Sequence, residues 1–516
     1  MIIGVLVKSL ILFILSISLL PFASFASTDK VLTLALGAEP ETGFDPIYGW
    51  GKYNRPLFQS TLIKRDNALE LVSDLALQWQ LSDDRRIWSV DLRPDVKFSD
   101  GSALTAADVK FSFDTAKQSA SLHDLTNLDR VEILDDYSLR FYLKQADITF
   151  IDNLVNLAIV PKASYGAQYG LKPIGSGPLA FVRWDRNQQL IMQPNPYYYG
   201  KKPEFSKIIV TFSDEDSRYA RLRSGQLDLA AIAPRYAKIL PPGYKLWSID
   251  SVDNRGIAWP MVPTQADGIG NDVTSDAIIR QAVGMAIDRQ VLVQQLLDGF
   301  ATPAYSIADG LPWGPQLNPT IKPDLEAAKQ LLEQNGWQLK VGLRHHGDTA
   351  ASMTLYYLAG DTVRQQLALA VAQMVKPLGI EIKPVGKSWE AIYLQMHSQP
   401  VLLGFGSHSA TEVRAVYHSA SRGKGYFNSG YYSNLQVDKA LDSALGAASW
   451  SESLPYWQQA QTLIAHDRPW TWLVNLQHLY AANECLDLAK PGIEAHGHGW
   501  PLANNIEQWR WLCPKR

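Results

Sequence analysis

Chemistry in this chain is most plausibly sought among its ten histidines. His496-Gly497-His498 has the spacing of a two-imidazole prong: residues i and i+2 of an extended segment point the same way, and the intervening glycine lets the backbone bend them toward one ion. Neutral imidazole suits Ni, Cu or Zn. Gly499, Trp500 and Pro501 follow, which predicts an ordered loop with an aromatic wall; a plain surface turn in a tail is the alternative reading. His345-His346 are adjacent, so on a strand they face opposite ways and do not readily share a metal. His123, His397 and His478 are isolated, as is His466, and their default is a satisfied core or surface position.

Catalytic patterns are missing from the sequence. No G-x-S-x-G elbow and no His-Glu-x-x-His occurs, and the carboxylate groups Asp83-Asp84, Asp135-Asp136 and Asp214-Glu215-Asp216 sit in polar, turn-like contexts that suit solvated surfaces. Gly175-Ser176-Gly177 lies between prolines with no following Lys-Ser or Lys-Thr, so it reads as a turn and not as a phosphate cradle. Enzyme readings, including a secreted hydrolase, find no support here. A formal net charge of −3 gives no electrostatic reason to expect nucleic acid as partner.

The elements that must hold any site alternate between helix and strand. Lys30–Leu36 and Ile208–Phe212 read as strands, and Trp88–Arg93 and Tyr137–Tyr142 alternate apolar and polar residues. Helices are predicted over 214–223, 276–289, 325–335, 362–376 and 435–445, with strand candidates at 341–344, 380–383 and 400–405. This order implies an α/β protein with a mixed sheet in its second half. A chain of 516 residues is too long for one ordinary core. Residues 1–26 run basic, apolar, then small, which fits a cleavable signal peptide. The two cysteines, Cys485 and Cys513, could pair in an oxidising compartment; as zinc ligands they lack the C-x-x-C spacing.

Within Arg93–Phe113, Asp100-Gly101 is a turn dipeptide and Thr105 with Asp108 forms an N-cap pair, so a short strand, a turn and a helix are predicted. This stretch resembles a signature of the extracytoplasmic solute-binding proteins that serve peptide and nickel ABC importers. Pro173–Pro178, Asn195–Gly200, Arg223–Asp228, Ile279–Arg289 and Ala328–Trp337 resemble further landmarks of that family, in the same order. The resemblance implies a two-lobed periplasmic binding protein fold with an additional small domain. Lobe I is expected over 27–48, 190–258 and 484–516, domain II over 49–189 and lobe III over 259–483, with the ligand cleft between lobes I and III.

It also directs attention to Gly404–Glu412. Peptide-binding members resemble W-x-x-D-Y-x-D-P here, and their first aspartate pairs with the peptide α-amine; in this chain Phe405 takes the tryptophan position and His408 that of the aspartate. Neutral imidazole can donate a lone pair to a metal but supplies no permanent negative charge. His418 is a second candidate by likeness to a loop histidine of the nickel-binding branch, whereas 154–160, where an arginine for a chelator's carboxylates is sought, has none. The expectation is therefore a monomeric periplasmic receptor that binds no cofactor of its own. It would deliver nickel, as a small chelate such as nickel-histidine, to ABC permease subunits in the inner membrane. His408, His496, His498 and His418 would be the metal ligands, with Phe405 and Trp500 packed on the cargo. A dipeptide or oligopeptide receptor is the alternative.

Overall fold

In the computed structural model the described residues are 30–37, 39–40, 43–52, 57–119, 121–315, 322–496, 500 and 505–513. The expected signal peptide and His498 lie outside them. Three sheets organise the chain, and each has its own buried apolar cluster.

The first is a seven-stranded mixed sheet. At its centre Val31–Leu36 runs parallel to Lys207–Phe212 and to Leu229–Ala231; Gln189–Pro194 and Leu179–Asp185 extend one side, His478–Asn483 and Tyr244–Ile249 the other. Ile208, Val210, Leu32 and Leu34 are fully buried, as expected for central strands covered on both faces. The second sheet has six strands, in which Ser352–Leu358 is parallel to Glu381–Lys387 and to Val401–Leu403, while Asn254–Ala258 and Trp470–Leu476 pair antiparallel. Helices Ala277–Ala286, Leu325–Gln334 and Thr362–Val375 contribute to the apolar cluster on one face, and Leu435–Leu445 and Trp450–Asp467 to that on the other.

The third sheet is antiparallel, with four strands drawn from 76–143, and the helix Ala106–Gln118 packs on it through Val109, Phe113 and Ala116. The Thr105/Asp108 capping box is present, so two otherwise orphaned N–H groups are satisfied where the sequence predicted a helix start.

Strand pairing crosses the expected borders: Leu179–Asp185, within 49–189, and His478–Asn483, within 259–483, pair in the seven-stranded sheet, and Asn254–Ala258, within 190–258, pairs in the six-stranded one. The links are too short to carry a linker composition: the chain leaves one sheet at Ile249 and enters the next at Asn254, and returns from Leu476 to His478. These two crossovers are bonded to each other. Leu476 N–H donates to Asp253 O at 2.7 Å, and Ser251 Oγ donates to Leu476 O at 2.6 Å.

Cys485 and Cys513 are joined, with Cα atoms 5.5 Å apart, and beside the bridge Leu486–Asp487 pairs with Arg510–Trp511. Among the described residues no helix is long and apolar enough to cross a membrane. The bridge closes a 28-residue loop. Replacing both cysteines with serine should therefore lower unfolding stability by about 3 kcal/mol, measured by denaturant titration under non-reducing conditions.

Candidate ligand-binding site

The parallel strands of the two large sheets end facing each other. Helix Glu215–Arg223, capped by Asp214, follows Lys207–Phe212, and helix Thr362–Val375, capped by Asp361, follows Ser352–Leu358. Thr362 Oγ1 donates to Glu215 Oε2 at 2.8 Å, so the two helix starts touch across the gap. In open α/β sheets ligands gather outside the carboxyl ends of the strands, which places the expected site along this seam.

His408 lies on the loop between Val401–Leu403 and the helix Thr411–Tyr417. The loop is pressed onto the first crossover: Asn254 N–H donates to Phe405 O at 3.0 Å, and Phe405 N–H to Asn254 Oδ1 at 2.9 Å. Gly406 has a φ of 149°, and a Cβ there would lie 2.2 Å from Val252 O. Only glycine allows that approach.

His408 lines a small pocket of about 80 Å³, together with Lys52, Arg65, Asp152, Ser407 and Ser409. Its Nε2 is buried with no hydrogen-bond partner. Burial, and secondarily the Arg65 charge, push the imidazole down to about 4, so at neutral pH it is uncharged. Opposite it, Arg65 Nη2 donates to Asp152 Oδ1 at 2.9 Å and Ser409 Oγ donates to the other carboxylate oxygen, which ties the four-stranded-sheet unit to the His408 loop. Burial raises Asp152 despite the Arg65 charge. Lys52 Nζ donates to Leu122 O at 2.8 Å and stands 5.2 Å from the centre of the Phe427 ring; burial lowers its pKa, against the pull of Glu412 and Asp124. The pocket thus combines the His408 imidazole with three cationic residues, Lys52, Lys64 and Arg65, and two acidic ones, Asp66 and Asp152.

Other expected site residues fall elsewhere. His496 is buried beside the pocket's loop, with its backbone N–H on Gly406 O at 2.7 Å, but its Nδ1 is 2.6 Å from Asp253 Oδ1, so the ring is turned into an ion-pair array and not toward His408. His418 is structural: Nδ1 accepts from Ala420 N–H at 3.0 Å, capping a short turn, and Nε2 reaches Asp442. Trp500, 4 % exposed, packs edge-on to Trp50 at 5.4 Å within the core of the seven-stranded sheet, so it is no cleft wall. Phe405 is also a core residue, stacked on Phe427 at 5.7 Å, and does not line the pocket itself. Among the described residues no three His, Cys, Asp or Glu side chains gather to hold a metal ion.

Sequence reasoning missed Lys52, Arg65, Asp152 and Ser409. Residues 154–160 hold no arginine; the guanidinium that lines the pocket is that of Arg65, at the end of the strand Ile63–Arg65, and it meets Asp152 across 87 residues of sequence. No local pattern reports such a pairing.

A family model for bacterial extracellular solute-binding proteins, family 5, middle region, matches residues 70–422. Protein XP55 of Streptomyces lividans is 32 % identical over 87 % of this chain and 84 % of its own length. The oligopeptide-binding protein AppA of Bacillus subtilis is 27 % identical over 89 % of this chain and 86 % of its own. The crystal structure of NikZ from Campylobacter jejuni in complex with Ni(L-His) superposes with a TM-score of 0.84 at 22 % identity, covering 93 % of this chain and 99 % of that one, a likeness of fold.

The His408 ring should titrate with a midpoint near 4 in NMR spectra of the native protein, and Arg65→Met should raise that midpoint. Between that value and the ordinary histidine pKa of about 6.5 the unfolded chain binds the extra proton, so His408 makes stability fall as pH drops through this window.

Proposed function

The chain belongs to the family 5 bacterial extracellular solute-binding proteins, which are binding components of ABC importers and not enzymes, and from that premise we propose that its cargo is a nickel chelate. The observation that carries this reading is the buried, unpartnered Nε2 of His408 in the pocket. In the tautomer protonated at Nδ1, Nε2 of the uncharged ring carries a lone pair with no hydrogen bond to occupy it, a donor suited to a transition metal. Leaving such an atom buried and unmade is costly, and a metal would relieve the cost.

In this reading the chelator, free L-histidine being the simplest, fills most coordination positions and His408 takes one. The chelator's carboxylate meets the cations of Lys52 and Arg65. His408 then replaces the several-histidine site expected from sequence, since His418 and His496 are turned elsewhere. Ser409, Asp152 and Arg65 close the mouth, and the liganded shape would engage inner-membrane permease subunits in the periplasm, to which residues 1–26 would direct the chain as a signal peptide.

A second reading, capture of a short peptide, is favoured by the similarity to an oligopeptide-binding protein and by Asp152, a buried carboxylate able to receive an α-amine. Calorimetry on metal-stripped protein separates the two. Ni(II) with L-histidine should bind, and His408→Ala should weaken it by at least about tenfold, or 1.4 kcal/mol. Tight binding of a dipeptide mixture, with Ni(II)-histidine silent, would overturn the nickel reading.

A further inference from the structure

The two crossovers carry a buried charge array that ligand contact does not explain. Asp253, on the outgoing crossover, pairs with Arg255 on the strand Asn254–Ala258, receives His478 Nε2 at 3.1 Å through Oδ2, and receives His496 Nδ1 at 2.6 Å through Oδ1. His478, the first residue of the returning strand, also presents Nδ1 to Glu494 Oε2 at 2.5 Å, and the Tyr480 hydroxyl donates to the same oxygen at 2.7 Å. Arg364 and Asp361 form a second pair close enough to act on the first.

Glu494 and His496 come from the C-terminal segment, which runs beside the outgoing crossover like an added strand. Ser251 and Glu494 form a parallel bridge, Val252 N–H donates to Glu494 O at 2.9 Å, and Glu494 N–H donates to Asp250 O at 2.9 Å. On its other edge His496 N–H holds Gly406 O, two residues before His408. One short segment therefore touches both crossovers and the ligand loop.

We infer that Glu494–His496 is a third hinge strand, and that His478, held between Asp253 and Glu494, is the positioning residue that fixes the closed angle of the two large sheets and the seat of the His408 loop. The inference concerns closure and is independent of the cargo. Protonated His478 donates to both carboxylates at once and adds a positive charge beside that of Arg255; the neutral ring can donate to only one of them, while Tyr480 stays on Glu494 and Arg255 and His496 stay on Asp253. The groups facing His478 are Asp253 from the crossover, Glu494 from the C-terminal segment and, through these, Arg255, His496 and Tyr480. They push His478 up to about 10, so its contribution is complete below the ordinary histidine value and is lost as pH rises through about 10.

The test is the distance between nitroxide labels on Gln226→Cys and Lys439→Cys, exposed positions on either side of the seam, measured on the cargo-free full chain. From pH 7 to 10.5 the closed-distance population should fall by at least about threefold, while His478→Gln should show the loosened distribution already at pH 7 and no further change with pH. Glu494→Gln, which keeps a hydrogen-bonding amide but no charge, should give an intermediate result. An unchanged distance across the parent titration would overturn the inference, as would the same pH response in His478→Gln. The parent titration decides the matter if either variant fails to fold.

Discussion

Asp253 is the carboxylate on which the arrangement of this molecule turns. It is fully enclosed at the point where the chain passes from one large sheet to the other, and it survives there as an anion because a guanidinium and two imidazoles converge on it. Isolated burial of such a charge would cost several kcal/mol, so its partners are obligatory. Each partner comes from a different part of the chain: Arg255 from the six-stranded sheet, His478 from the seven-stranded one and His496 from the C-terminal segment. One solvation requirement thus aligns three segments, and the loop that carries His408 is fastened to the last of them.

The binding pocket follows a contrary logic. Where Asp253 is surrounded by partners, His408 is denied one at Nε2 and is kept uncharged by enclosure and by the nearby Arg65. Two histidines of one chain, His408 and His478, are thereby driven in opposite directions by their surroundings, one toward the neutral and one toward the charged form. The first is suited to donate an electron pair; the second can only donate protons. Residue type alone does not distinguish these roles.

That distinction also marks how far the sequence could be read. Local signals were legible: the Thr105/Asp108 cap, the helices at 362–375 and 435–445 and the strand at 207–212 stand close to where periodicity and turn chemistry put them. His408 stands out by its place in a loop that resembles the acid-bearing loop of peptide-binding proteins, and the fold sets it in a pocket. On sequence alone His496 reads as a metal ligand and His478 as an isolated core or surface residue, yet both meet the Asp253 carboxylate, more than 200 residues away in sequence, which no local pattern reports. The sheet membership of strands near the expected borders was illegible for the same reason. Pairing of His478–Asn483 with Leu229–Ala231 and Tyr244–Ile249 is a property of the folded chain and leaves no mark on composition.

That strand has a consequence for the way the molecule is built. His478–Asn483 does not extend an edge; it is inserted between two strands made more than 220 residues earlier and pairs with both. The order of assembly therefore departs from the order of synthesis: the six-stranded sheet's chain must be threaded out and back before the first sheet is whole. Until then Leu229–Ala231 and Tyr244–Ile249 present open strand edges, a template for any extended segment that meets them. This topology leaves the nascent chain exposed to intermolecular strand pairing until its last long strand is made, and holding such a chain unfolded until it is complete removes that exposure.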